Sequence, residues 1–338
     1  MNFINILNHI LRPLEWVVAQ LLTLFHHALV TFGMTAGPSP AWGIAIMCLV
    51  LVIRICLLPL FLSQMRAMQR IQVLQPQIQR IQHKYAARKD PRSKEAMQRE
   101  IMALQQRYNA NPLGSCLPSL IQAPILCSLF YTLQSLPAIA DGNAEPLGGI
   151  DRTMAGDIES SSIFGVRIAD SFGTVASPQS RIIIGVAVAL MCLTLFAIQW
   201  MLIHRNTSKD AMVSPQFRVQ KMTVFVFPAI YVVSGATLPF GVLLYWLTNN
   251  LWNLGQTLCQ LRWFPTPGSA AGERKARRDY EQDNRRRAAA GLPSLEEERA
   301  MAAREEAKAR REREKSAASR NRKQHKTPHL AKRSIVKR

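Results

Sequence analysis

Arg54 lies within CLVLVIRICLLPLF (residues 48–61), and with WGIAIM upstream the apolar run is long enough to cross a bilayer. A guanidinium at that depth costs roughly 2.5–3.5 kcal/mol on insertion scales, so it needs a partner or water. No aspartate or glutamate lies deep in another apolar span, which rules out an intramembrane ion pair. Uncharged polar side chains are available instead. Ser119 and Gln122 fall in one apolar stretch, Gln199 in another, and Tyr245, Trp246, Thr248, Asn249, Asn250, Asn253 and Gln256 in the last. Positions 249, 253, 256 and 260 share one helical face. Neutral amides around a single buried cation point to a hydrated groove open towards the cytoplasm. Each amide taken singly also suits interhelical hydrogen bonding.

This set can attract and orient an anion; it cannot make or break bonds. The sequence holds no HExxH pair, no nucleophile elbow and no glycine-rich phosphate loop. The histidines lie in surface or terminal segments, and His26 and His27 are adjacent rather than one turn apart, a poor metal site. The six cysteines (Cys48, Cys56, Cys116, Cys127, Cys192 and Cys259) show no CxxC spacing and read as small apolar residues. Neither an enzyme nor a cofactor or metal is expected.

Five stretches of spanning length would position these side chains: about 42–62, 117–137, 182–203, 220–238 and 240–262. They predict an all-α polytopic membrane protein whose five-transmembrane-helix core occupies 42–262. Pro59, Pro124 and Pro228 predict kinks, and TLPFG ties the last two spans into a tight hairpin. Before the core, within 1–41, Asn5, Asn8, Arg12, Glu15, Gln20, Thr23, His26 and Thr31 recur every three to five residues. That stripe predicts an amphipathic helix over 3–31 lying on the membrane surface, ended by the turn at 37–40. The near absence of formal charge from WVVAQLLTLFHHALVTFGM leaves an additional span open.

Loop charges set the orientation. Residues 63–116 hold ten basic residues, among them Arg66, Arg70, Lys84 and Arg107, against three acids. Residues 204–219 hold Arg205, Lys209 and Arg218 against Asp210. Between 138 and 180, Asp141, Glu145, Asp151, Asp157, Glu159 and Asp170 face only Arg152 and Arg167, which marks the loop 138–181 as extracytoplasmic. The N-terminus then lies outside and the C-terminus in the cytoplasm. Within 63–116, Met65, Met68, Leu74, Ile78, Ile81 and Tyr85 form one helical face and Met97, Ile101, Leu104 and Tyr108 another, with AARKDPRS between. A cytoplasmic helical hairpin follows, its arms about 20 residues or roughly 30 Å long. The tail, 263–338, begins with the linker PTPGSAAG and becomes rich in Arg, Lys and Glu. It reads as part exposed helix and part disordered chain. Over 273–338 it is a candidate tether to the ribosome or anionic lipid, and with hardly an aromatic among its charges it is not expected to read nucleic-acid sequence. The chain begins with neither a cleavable signal peptide nor a cysteine for lipid attachment.

Three ordered blocks resemble the YidC/Oxa1/Alb3 membrane protein insertase family over about 40–262. WGIAIMCLVLVIRICLLPLFLSQMRAMQRIQVLQPQIQRIQ is similar to that family's arginine-bearing helix and following cytoplasmic region, NPLGSCLPSLIQAPILCSLFYTL to the next block, and LPFGVLLYWLTNNLWNLGQT to the last helix. The resemblance implies a groove open to cytoplasm and lipid but closed to the outside. Arg54 in it would attract acidic residues in the short translocated end of a client. It further implies that Gln122, Gln199 and Trp246 line the groove or touch substrate. The implied partners are nascent membrane proteins, the lipid bilayer, the Sec translocon and the ribosome, and the implied location is the bacterial plasma membrane. The chain lacks the large extracytoplasmic domain of Gram-negative members, so it is similar to the shorter Gram-positive type, although without the lipoprotein cysteine many of those carry. Two other readings are a small-solute or proton-coupled transporter and a ribosome-anchoring membrane protein. The transporter would call for intramembrane acids or histidines and inverted repeats, which the sequence lacks.

Overall fold

Proline and the amide-rich face of the last apolar stretch shape the architecture. A computed structural model describes residues 3–88, 90–110 and 117–324, and separates into two units, 1–275 and 276–338. In the first unit α1 (Phe3–Thr31) buries Leu11, Val18, Ala19 and Leu22, a stripe at helical spacing, and packs on α2 (Pro40–Cys56) and α6 (Leu117–Ala140). Ser39 caps α2, its hydroxyl accepting from the Ala41 amide at 3.3 Å, with Pro40 at the first helical position where its missing N–H does no harm.

The first predicted span is broken. α2 ends at Cys56, and α3 (Leu58–Val73) leaves it at 54° after a single residue, Leu57. Pro59 accounts for this, because it offers no amide to the carbonyl of residue 55 and its ring crowds that carbonyl. Arg54 therefore occupies the last turn of its helix rather than the middle of a continuous one. Pro76 repeats the effect: the first arm of the 63–116 segment divides at Leu74 into α3 and α4 (Gln75–Tyr85) instead of running unbroken. α5 (Pro91–Arg107), N-capped by Asp90, returns alongside, with Ile101 and Leu104 packed on Leu74 and Ile78. The last part of that segment, 111–116, lies outside the described residues, as does the side chain of Ser119.

The segment between the second and third predicted spans is structured, which its charge count alone did not suggest. α7 (Arg152–Ser160) is N-capped by Asp151, whose carboxylate accepts from the Met154 amide at 2.7 Å. A two-stranded hairpin follows, β1 (Ser162–Ile163) antiparallel to β2 (Val166–Arg167), turned by Phe164 and Gly165 with φ of 53° and 82°. The chain then supplies the carbonyls of Ile168 and Asp170 to the amides of Gly241 and Phe240, at 2.9 and 2.7 Å. Those two amides open α10 (Phe240–Trp263) and would otherwise lack partners.

α10 packs against both α2 and α8 (Pro178–Arg205), and α9 (Pro215–Thr237) packs on α8. Trp42, Ile46, Leu49, Leu129, Leu133, Ile139, Ile158, Ile168, Val242 and Tyr245 form a continuous apolar core at the end of the bundle capped by the 141–170 segment. Among the described residues four helices are long and apolar enough to cross a membrane: α1 over 11–31, α6 over 122–140, α8, and α9 over 217–237. The bent α2–α3 pair qualifies as a fifth. α10 falls short because its amides lower its apolarity, and its place between α2 and α8 gives those amides protein neighbours. The chain is a predominantly helical membrane protein.

The second unit is helical. The end of α11 (Ala270–Ala289) and α12 (Leu295–Gln324) carry i,i+4 pairs, Arg277–Glu281 at 3.0 Å and Arg310–Glu314 at 3.1 Å. Ser294 and Glu297 make a reciprocal capping box at the start of α12. The last tail residues, 325–338, lie outside the described residues.

Candidate functional site

The break after Cys56 and the amide face of α10 meet at Arg54. Its Nε donates to Asn249 Oδ1 at 2.7 Å, and Nη2 donates to the same oxygen. A charge-assisted bond to a neutral amide holds the guanidinium in place without cancelling its charge. It also takes only two of the five N–H donors that a guanidinium carries.

Beside Arg54 lies a cavity of about 430 Å³. Gln64, Gln122, Asn253 and Gln256 share its wall with Arg54, and Leu57, Leu60, Phe61, Ala123 and Leu126 supply the apolar part. Among the described residues no carboxylate lines it. The bend puts Leu57, Leu60, Phe61 and Gln64 there, because a straight helix would carry the first turns of α3 onward along the α2 axis. Gln122 donates to the Tyr245 hydroxyl, fixing α6 to α10 above the cavity.

The residues singled out in the sequence thus take different places. Arg54, Gln122, Asn253 and Gln256 line the cavity; Asn249 and Tyr245 hold lining residues from behind. Trp246 and Asn250 turn towards α9, where Trp246 stacks on Tyr231 with ring centroids 4.9 Å apart and Asn250 is buried beside the same tyrosine. Thr248 spends its hydroxyl on the Leu244 carbonyl at 2.8 Å. Gln199, half-buried on α8, does not line this cavity.

A smaller cavity of about 200 Å³ shares Phe61 and Gln64 with the first. It continues along α3 past Gln69 and Gln72 to Asn206, Gln220 and Gln260. Sequence reading missed Gln64, Gln69, Gln72 and Gln220. The available signal was the recurrence of glutamine in QMRAMQRIQVLQ straight after the arginine-bearing run, read only as one side of a hairpin. The path away from Arg54 is thus walled by neutral amides, which solvate a polar chain without trapping it by charge. Among the described residues no cluster of histidine, cysteine, aspartate or glutamate is placed to hold a metal ion.

Comparison with known proteins places the chain in a family. The family model of the 60Kd inner membrane protein matches residues 34–266, the part that builds the arginine, its cavity and the capped end. The Membrane protein insertase YidC of Bifidobacterium longum is 44% identical over 306 residues, 90% of either chain. That of Streptomyces avermitilis is 34% identical over 276 residues, covering 79% of this chain and 61% of the relative. The Tropheryma whipplei (strain Twist) protein of the same name is 30% identical over 284 residues, 81% of this chain and 90% of the relative. With its arginine-bearing bent helix, amide-lined cavity and matched core, the chain belongs to the YidC/Oxa1 family of 60Kd inner membrane proteins.

Proposed function

We propose that this chain, a membrane protein insertase of the bacterial inner membrane, works through the cavity beside Arg54 as a cytoplasm-open hydrophilic groove. The carrying observation is a guanidinium fixed by a neutral amide in a cavity that no carboxylate lines among the described residues. The donors that Asn249 leaves over would meet an acidic residue in the short translocated end of a nascent client. A carboxylate binds there more strongly than in bulk water, because the surrounding dielectric is lower. The groove shortens the apolar path the polar end must cross. Burial of about twenty apolar client residues in lipid then supplies the driving force, at ~25 cal/mol per Å², and no bond is made or broken. Release sideways into lipid, and a chaperone role for clients still folding, belong to the same reading.

The reading carries a topology: core 42–262 crossing five times, hairpin 63–116 and tail 263–338 in the cytoplasm, and loop 138–181 outside. α1 lies on the outer surface in this scheme. Contacts at its middle support that placement. A Cβ on Gly148 would stand 2.9 Å from the Trp16 carbonyl, and one on Gly149 2.6 Å from the Thr23 hydroxyl. The polar segment leading into α7 thus presses on the centre of α1, where a spanning helix would meet lipid tails. Nascent membrane proteins are the proposed clients, with the Sec translocon and the ribosome as further partners.

Replacing Arg54 with Ala tests the mechanism in cells depleted of the native protein. Sec-independent clients with acidic translocated ends should stay uninserted, as read by protease protection, while clients with neutral ends are less affected. Full insertion of the acidic clients by Arg54→Ala would sink the groove mechanism.

A further inference from the structure

A second cavity of about 430 Å³ opens on the far side of α3, at the level where α10 ends. Arg66, Arg70 and Val73 of α3, Tyr108 at the end of α5, and Pro267 beyond α10 are among its walls. The two arginines stand one helical turn apart and so face the same way. Arg70 Nη1 donates to the Asn109 carbonyl at 3.1 Å, which directs that guanidinium, and among the described residues no carboxylate lines the cavity. Beside the cations lie apolar side chains left open, Val73 at 54% and Tyr108 at 47% exposure. A ligand matching this cavity carries a compact anionic group on an apolar body.

Its level is fixed by Gln69, whose side-chain amide donates to the carbonyls of Phe264 and Pro265 and which separates this cavity from the amide-lined path. Trp263 and Phe264, at the end of α10, are both exposed. Exposed aromatics at the end of a membrane helix mark the headgroup level. Two cations and an apolar lip at that level match a phospholipid, with its phosphate on the arginines and its glycerol and first methylenes on Val73 and Tyr108.

We propose that this cavity binds the headgroup phosphate of an anionic glycerophospholipid of the cytoplasmic leaflet. The leaflet assignment rests on the topology of the preceding section; the binding itself does not. A lipid seated here ties the end of α3 to the end of α5 and neutralises the two cations between them.

The test uses the full chain in nanodiscs containing a trace of headgroup-photoactivatable phosphatidylglycerol or, in parallel, phosphatidylcholine, with adducts mapped by peptide mass spectrometry. Phosphatidylglycerol adducts should concentrate on residues 66–77 and on Tyr108. The double variant Arg66→Gln/Arg70→Gln should lower them about thirtyfold, in line with losing two cation contacts at a charged surface. The Arg66→Lys/Arg70→Lys variant should keep most of them. Arg54→Ala should leave them unchanged, so failure of the groove and failure of this site are read separately. Equal labelling by phosphatidylcholine, or labelling insensitive to the Gln pair, overturns the proposal. So does loss of the adducts on adding inorganic phosphate alone, which would make this a free-phosphate site. Crosslinking of an acidic nascent segment to these residues in place of lipid would also overturn it, making the cavity a client contact.

Discussion

At the scale of single residues, the proposed groove divides the work between the arginine and its amide partner: Arg54 would supply charge, and Asn249, which accepts from it at 2.7 Å, position. Asn249→Leu leaves a half-buried guanidinium without that acceptor, and losing a hydrogen bond to a charged group costs about 1.5–3 kcal/mol. A lowered Tm in detergent is expected, together with weaker insertion. Asn249→Asp separates position from charge more sharply. An aspartate at that place would become a resident counter-ion, holding the guanidinium at least as firmly while occupying it. Thermal stability should hold or rise while insertion of acidic clients falls about tenfold, the equivalent of ~1.4 kcal/mol. If the Asp variant inserts such clients as well as the parent, free charge at Arg54 is not what the groove needs. The arginine itself is legible in the sequence because a lone charge in an apolar run has few explanations. Which amide holds it is not, since Asn249, Asn250 and Asn253 are chemically alike and only the rotation of α10 about its axis separates them. That rotation follows from Val242, Leu243 and Tyr245 seating in the apolar core, a three-dimensional fit.

At the scale of elements, the bend between α2 and α3 decides whether a cavity exists at all. Its cause was in the sequence, as Pro59, but its consequence was not. A proline in an apolar run signals a kink, yet says nothing of a 54° turn that gives Leu57, Leu60, Phe61 and Gln64 to one cavity wall. The hairpin segment behaved alike: the apolar faces at Leu74, Ile78, Ile101 and Leu104 were readable, whereas the division at Leu74 depends on Pro76. Charge counting was blindest in the 138–181 segment, where two-residue strands are too short to leave an alternating pattern. Replacing Pro59 with Ala restores an amide and removes a residue that disfavours helix interiors by ~3 kcal/mol. The α2–α3 axis should straighten, moving spin labels at the exposed positions 51 and 68 apart by several ångströms, roughly what straightening helices of 1.5 Å rise per residue produces. Insertion should drop with no loss of thermal stability. An unchanged label distance would mean that packing on α6, not the proline, sets the bend.

At the scale of the whole molecule, the chain joins two kinds of sequence, an apolar core and a charged tail. The apolar core is closed at one end by the 141–170 segment and its contacts with α10, while polar cavities open along α3 towards the other. Within the first unit that open end is secured by Asn206, which accepts from the Thr266 amide at 2.9 Å, and by Lys209, which pairs with Glu273 at 3.0 Å. Beyond it, residues 276–338 carry twenty basic against ten acidic side chains, supplying half of the chain's net +20. Exposed i,i+4 pairs stabilise a helix without burying anything, so this unit adds charge to the protein and little to its fold. A chain ending at Lys275 should therefore melt within about 2–4 °C of the parent, the shift that ~1 kcal/mol produces in a protein of this size. It should still insert acidic clients through Arg54. What it should lose is cosedimentation with ribosomes or with anionic vesicles, and in the full chain that binding should weaken steeply as salt rises, because it rests on counterion release. Loss of insertion on truncation, with stability kept, would place the tail within the insertion mechanism itself.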